Sequence, residues 1–203
     1  MRRSVVPFVV VFAWMVSRGA LDWGPRVRRH KMRMIDPSRT TTLRPAMTLK
    51  PITLEGAHVR LVPLAREHAS ALLPIALHEE LWRWTITEIR SAADLDRYIA
   101  SALRDQEIGI SLPFATIHRA SGTPVGSTRY GNYDADNRRL EIGWTWIAPE
   151  FQRSAVNTEA KLLMLRHAFE DLECIRVELK TDALNEKSRA AIQRLGAVQE
   201  GLF

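Results

Sequence analysis

The stretch FQRSAVNTEA, residues 151–160, places an arginine, two hydroxyls and an asparagine at the entrance to a long apolar helix pattern. A helix N-terminus presents backbone N–H groups that have no intrahelical acceptor, and the helix dipole favours an anion there. Gln152, Arg153, Ser154, Ala155, Val156, Asn157 and Thr158 are therefore candidates for holding a phosphate, with Arg153 adding a charge-assisted donor. Phosphate-cradling loops usually carry glycine, and this one has none. If residues 155–157 are the first helical turn, their φ values are negative and alanine suffices. Asn157 would then cap the helix or offer its amide to a phosphate oxygen. An ordinary capped helix start fits the loop alone equally well. Other chemistries find less support. His78, His118 and His167 show no ligand spacing, so no metal site is expected. No G-x-S-x-G element or Cys/His pairing points to a hydrolase. The single cysteine, Cys174, excludes an intramolecular disulfide and reads as a buried thiol in an apolar strand.

Positioning that loop takes a sheet. HVRLVPL (58–64) alternates as a half-buried strand does. REHASALLPIALHEELWRW (66–84) reads as a helix broken at Pro74. Ser91, with Asp94 three positions on, caps a second helix through ADLDRYIASALRDQE. LPFATIHR and TPVGSTRYGNYD form a hairpin turning at ASGT, and NRRLEIGWTWI (137–147) is a further strand. TEAKLLMLRHAFEDL (158–172) is helical. In CIRVELKTD (174–182), Ile175, Val177 and Leu179 face one way and Arg176, Glu178 and Lys180 the other. NEKSRAAIQRL (185–195) is a helix capped by Asn185 and stopped by Gly196. This order predicts an α/β or α+β layer structure with a mixed central sheet. The strand–loop–helix–strand unit from Glu141 to Asp182 aims the helix's free N–H groups at the carboxyl edge of the sheet.

Charge divides the chain. Residues 1–46 hold ten Lys/Arg against two Asp/Glu, a net of +8, so the remainder carries −2 of the total +6. A basic bias confined to the front argues against nucleic acid as a partner of the rest. Within that front segment an apolar run, Val5–Val16, is followed by the basic cluster RVRRHKMR and then by DPSRTTTLRPA, which reads as linker. The run is short for a membrane span, and the basic cluster behind it resists translocation. A small-x-small cleavage site is not evident. Three readings stay open, in this order: a non-native extension from an upstream start, a membrane-associating tail and a secretory signal. Residues 1–46 are thus expected to be a disordered, dispensable extension, with a compact domain over 47–203.

EIGWTWIAPEFQRSAVNTEAKLLMLRHAFE followed by RVELKTDALNEKSRAAIQRLGA resembles the GNAT superfamily of acetyl-CoA-dependent N-acetyltransferases, in particular its RimJ/RimL-type branch, over about residues 50 to 203. In that family a loop of the form Q/R-x-x-G-x-G/A wraps the coenzyme A pyrophosphate, and residues 152–157 match it. A second motif, N-x-x-S followed by a helix and a glycine, is matched by Asn185, Ser188 and Gly196. The resemblance implies a GNAT-like mixed sheet flanked by helices. The family continues beyond QEGLF with two more strands, so the resemblance also implies that the C-terminal strands are missing and a sheet edge is left open.

The resemblance further implies that Trp146, Ile147 and Ala148 line the acetyl group and pantetheine arm. One residue more than the family spacing separates EIG from WIAPE, so a bulge is expected there, aiming an N–H at the thioester carbonyl. Ser188 is the implied proton donor to the leaving thiolate, or else a helix-start serine. Asn185 is a coenzyme or water ligand. Glu141 is the base candidate, or else a solvated strand residue paired with Arg138 or Arg139. Trp82 and Trp84, flanking Arg83, would clamp a peptide N-terminus or small amine, or pack. The expectation is a cytoplasmic enzyme moving acetyl from acetyl-CoA to a primary amine, without metal or nucleic acid. Membrane contact is expected only through residues 1–46, and a homodimer stays open. The alternative is a catalytically impaired, truncated domain that at most binds acetyl-CoA.

Overall fold

The computed structural model describes residues 9–15 and 49–202. Its strands are β1 (Val9–Met15), β2 (Leu54–Glu55), β3 (Val59–Pro63), β4 (Leu112–His118), β5 (Thr123–Asp134), β6 (Arg139–Ile147), β7 (Arg176–Asp182) and β8 (Val198–Leu202). Its α-helices are α1 (Ala69–Ala76), α2 (Ala92–Glu107), α3 (Ala155–Arg166) and α4 (Glu186–Arg194). The strands form one eight-stranded sheet in the order β2-β3-β4-β5-β6-β7-β1-β8. Every described pairing is antiparallel except β6 with β7, so the sheet is mixed as expected.

Alternation along the central strands builds a core on each face. Phe114, Tyr130, Leu140, Ile142, Val177 and Leu179 pack against Val156, Ala160 and Met164 of α3, Ala168 just beyond it, and Ile192 of α4. Ala115, Ile117 and Trp146 point the other way and meet Leu72 and Ala76 of α1, Leu95 and Ile99 of α2, and Trp82. In α2 the buried Leu95, Ile99 and Ala102 recur at helical spacing. The predicted Ser91 cap is present: its hydroxyl accepts from the Asp94 N–H at 3.2 Å and donates to the Asp94 carboxylate at 2.7 Å.

Three expectations are corrected. The 66–84 segment is a short helix followed by a 3-10 turn at Glu79–Leu81, and Pro74 lies inside α1, two residues before its end. The helix expected from 158 starts at Ala155 and closes in a π-helical stretch, His167–Asp171. The front segment was set outside the fold, yet Val9–Met15 is a strand between β7 and β8 and runs antiparallel to both. Backbone pairing depends on extended geometry and alignment rather than on net charge, so the basic surroundings of this run did not exclude it. The carboxyl side of β7 is therefore not an open edge. The rest of the front segment, with its basic cluster and linker, lies outside the described residues.

Candidate functional site

β6 and β7 are paired only from Arg139 to Glu141 against Arg176 to Glu178. Both strands continue, to Ile147 and Asp182, without pairing to each other. Each is followed by a helix, so the N-termini of α3 and α4 lie at the same carboxyl edge of the sheet, where the strands part. Open sheets bind ligands at such a place.

The loop into α3 answers the question posed by its missing glycines. Ala155 and Asn157 are inside the helix, and the left-handed residue is Arg153, at φ 60°. Glycine is thus unnecessary at 155 and 157, and the strain sits on an exposed arginine. Ser154 is the N-cap: its hydroxyl accepts from Val156 N–H at 3.2 Å and donates to the Phe151 carbonyl at 2.6 Å. Gln152 donates to the Ile147 carbonyl at 3.2 Å, which shapes the loop. Val156 is buried in the core. Arg153 and Thr158 are exposed, as are Gln152, Ser154 and Ala155. The Asn157 carboxamide is buried and its oxygen has no partner. That oxygen is an acceptor and asks for a donor, which a phosphate oxygen is not, so it lends an anion cradle no support of its own.

The expected bulge in β6 is present. Ser127 pairs with Trp146 and Arg129 with Gly143, so Trp144 and Thr145 together face Thr128. Trp144 carries it, at φ 48°. Its ring covers Gly131, where a Cβ would come within 2.3 Å of the indole. The Arg129 guanidinium lies 4.9 Å from the Trp144 ring and 5.0 Å from that of Tyr98. Trp146 is buried and donates to the Tyr98 hydroxyl at 3.3 Å. Ala148 is buried too, and its N–H is taken by the Val125 carbonyl at 2.8 Å.

The remaining candidates separate. Asn185 caps α4 by accepting from Ser188 N–H at 3.1 Å. Ser188 is half-buried at the third position of that helix. Glu141 is 7% exposed, and the predicted pairing with Arg138 or Arg139 is replaced by Lys180 at 2.6 Å and Asn132 at 2.8 Å. It lines a cleft of about 630 Å³ with Asn132, Tyr133, Glu178 and Lys180. Trp82 is closed into the core, its indole N–H on the Ala76 carbonyl at 2.7 Å and its ring 5.6 Å from Trp146, so it supports the site from behind. Trp84 is half-buried under the Arg83 guanidinium at 5.0 Å. Cys174 is a buried thiol whose pKa burial pushes up to about 11. Among the described residues no cluster of His, Cys, Asp or Glu could hold a metal ion, and no helix is long and apolar enough to cross a membrane.

Two residues the sequence reading passed over belong to this region. Glu159 accepts from the N–H groups of Ala57, His58 and Val59 at 2.8, 2.6 and 2.8 Å, tying α3 to the turn before β3. Lys161 is buried between α3 and the bulge. Its signal was its place beside Ala160 and Met164 on the apolar face of the helix pattern.

Comparison with known proteins agrees with this geometry. The sequence matches the acetyltransferase (GNAT) domain family over residues 58–198. Over 80 residues it is 41% identical to a Bacillus subtilis (strain 168) protein named as the ribosomal N-acetyltransferase YdaF, covering 39% of this chain and 43% of that protein. The chain thus spans less than half the length of that curated relative. A GCN5-related N-acetyltransferase from Brucella melitensis superposes with a TM-score of 0.68 at 28% identity, covering 74% of this chain and 69% of that one. Mycobacterium smegmatis RimJ, solved with coenzyme A disulfide, shares the fold at a TM-score of 0.64 and 24% identity, with 78% of each chain covered. Parting parallel strands, a bulged strand and a capped helix at their carboxyl edge, matched by this family over most of the chain, make the protein a member of the GNAT acetyltransferases, a family of acyltransferases.

Proposed function

We propose that the chain transfers an acetyl group from acetyl-CoA to a primary amine, a protein N-terminus or a small amine, by direct attack of the amine on the thioester. The observation that carries this reading is the convergence of two helix N-termini on the gap between β6 and β7. The names of the relatives agree with it: YdaF is described as a ribosomal N-acetyltransferase, and the RimJ structure holds a coenzyme A disulfide.

In this reading Arg153, Thr158 and the first-turn N–H groups of α3 hold the pyrophosphate, with the Asn157 NH2 group, not its buried oxygen, as a further donor. Gln152, Ser154, Ala155 and Val156 build the loop rather than touch the phosphate through their side chains. The unpaired end of β6, with Trp146, Ile147 and Ala148, forms one wall of the channel for the pantetheine arm. Asn185 holds the α4 turn, and Ser188 donates a hydrogen bond to the departing thiolate. The amine must be neutral to attack. Glu141 accepts its proton through the carboxylate oxygen that Lys180 and Asn132 leave free, since both of them bind Oε2.

Ser188→Ala tests the assignment. A serine inside the first helical turn contributes little to stability, so the melting curve should hardly move. Loss of the thiolate's donor should lower kcat about 10- to 100-fold while acetyl-CoA affinity stays nearly intact. A variant with full kcat removes Ser188 from the mechanism.

A further inference from the structure

Lys161 lies on the inner face of α3 and is 6% exposed. Its amine reaches the Thr128 hydroxyl of β5 at 3.1 Å and the Thr145 hydroxyl of β6 at 2.5 Å. Those two hydroxyls lie 2.8 Å apart, so the three groups close a triangle. Both threonines also reach the Gly143 carbonyl, at 3.4 and 3.3 Å. Thr145 is one of the two bulge residues and is itself exposed, on the part of β6 that has left β7. The buried amine is therefore one hydroxyl away from the surface of the gap.

No acid faces it. The carboxylate two residues back, Glu159, is turned to the amides of residues 57–59. From β5 the Tyr130 hydroxyl is bound to the Met164 carbonyl at 2.6 Å. β6 contributes only the Thr145 hydroxyl to the amine among the described contacts. Burial alone pushes the amine down to about 7. A neutral amine has two donors and a lone pair, so it donates to one threonine and accepts from the other. An ammonium only donates, and both hydroxyls must then turn to other acceptors.

We propose that Lys161 is a positioning residue, whose buried amine fastens the bulge of β6 to α3 and so holds the strand that lines the acyl group in register with the helix that forms the anion cradle. This rests on the function proposed above for the site. Lys161 touches no reacting atom; it acts through Thr145.

The test compares wild type with Lys161→Met by backbone hydrogen exchange, calorimetric titration of coenzyme A, and acetyl transfer as a function of pH. In the variant, exchange in peptides spanning 140–148 should speed up about ten-fold or more, while β3 and β4 are unchanged. Coenzyme A affinity should stay within about three-fold, and kcat at pH 8 should fall about ten-fold. Both kcat profiles should fall in acid as the acceptor amine protonates, and the ratio of wild-type to variant kcat should shrink below pH 7. Unchanged exchange across 140–148, or identical pH profiles of kcat, overturns the proposal. If neither protein acetylates any amine, the proposed activity falls, and the exchange experiment still decides the role of Lys161. Lys161→Gln, which keeps a donor for Thr145, should restore slow exchange in part. It replaces the methionine variant if that one does not fold.

Discussion

Glu159 offers a perturbation whose size can be worked from the structure. Its carboxylate accepts three backbone N–H groups, from Ala57, His58 and Val59, at 2.8, 2.6 and 2.8 Å. Ala57 and His58 are exposed, so their N–H groups rehydrate when the carboxylate is removed. Val59 is fully buried, and its N–H would be left without a partner. A buried orphan donor costs about 1–3 kcal/mol, and each rehydrated bond to a charged acceptor adds about 0.5 kcal/mol. Glu159→Ala should therefore destabilise by about 2–4 kcal/mol at pH 7, read as a lower urea midpoint at unchanged slope. Burial raises the Glu159 pKa, but the three N–H groups outweigh it and hold the carboxyl below its ordinary value of 4.5. A depressed carboxyl stabilises above its unfolded pKa and stops doing so as pH falls through its folded one. The gap between wild type and variant should thus close below about pH 4.5. Because Glu159 anchors the first turns of α3, coenzyme A affinity should also weaken a few-fold. A stability loss under about 0.5 kcal/mol at pH 7, or a gap that persists in acid, would refute the reasoning.

Three further outcomes are expected. Removing residues 1–46 deletes β1, which pairs with β7 from Val9↔Asp182 to Met15↔Arg176 and also with β8. The 47–203 fragment should melt about 5 °C or more below the full chain by calorimetry, and equal melting would show that β1 adds nothing. Arg153→Gly relieves the left-handed φ of 60° and should raise stability by about 1 kcal/mol. Arg153→Glu should weaken coenzyme A binding by about 1–3 kcal/mol, and unchanged affinity by calorimetry would return the loop to a plain helix start. Lys161 has a folded pKa of about 7 against an ordinary 10.5, so between those values the unfolded chain binds more protons and stability rises with pH. Relative to Lys161→Met, wild type should gain about 2 kcal/mol from pH 7 to 8.5 in urea unfolding, a window below the ordinary thiol value of 9.0 at Cys174.

The elements that carry the site were readable because their patterns are local. The alternation of Val177 and Leu179 marked a buried strand, and Ser91 and Asn185 announced helix starts that the structure shows capped, whereas α3 is capped by Ser154 rather than by the expected Asn157. The extra residue in β6 was countable against the family spacing, and the bulge stands there. What escaped depends on distant pairing. The place of Val9–Met15 between β7 and β8 is set by strands far along the chain, and nothing local distinguishes it from a signal-like apolar run. Glu141 was assigned arginine neighbours in sequence, whereas a parallel strand brought Lys180 instead. Trp82 looked like an acceptor clamp because its aromatic surface is the same whether it faces a ligand or, as here, Trp146. Glu159 and Lys161 were passed over, because their partners, the turn before β3 and the bulge of β6, are brought to α3 only by the fold.

The most direct measurement is acetyl-CoA-dependent thiol release by the full chain, followed with a panel of peptide N-termini and small amines, alongside calorimetric binding of coenzyme A. Binding, release that depends on the amine, and a weakening of both in Arg153→Glu are expected. Coenzyme A binding with no amine-dependent release at any pH would contradict the proposed transfer and leave a domain that only binds the coenzyme.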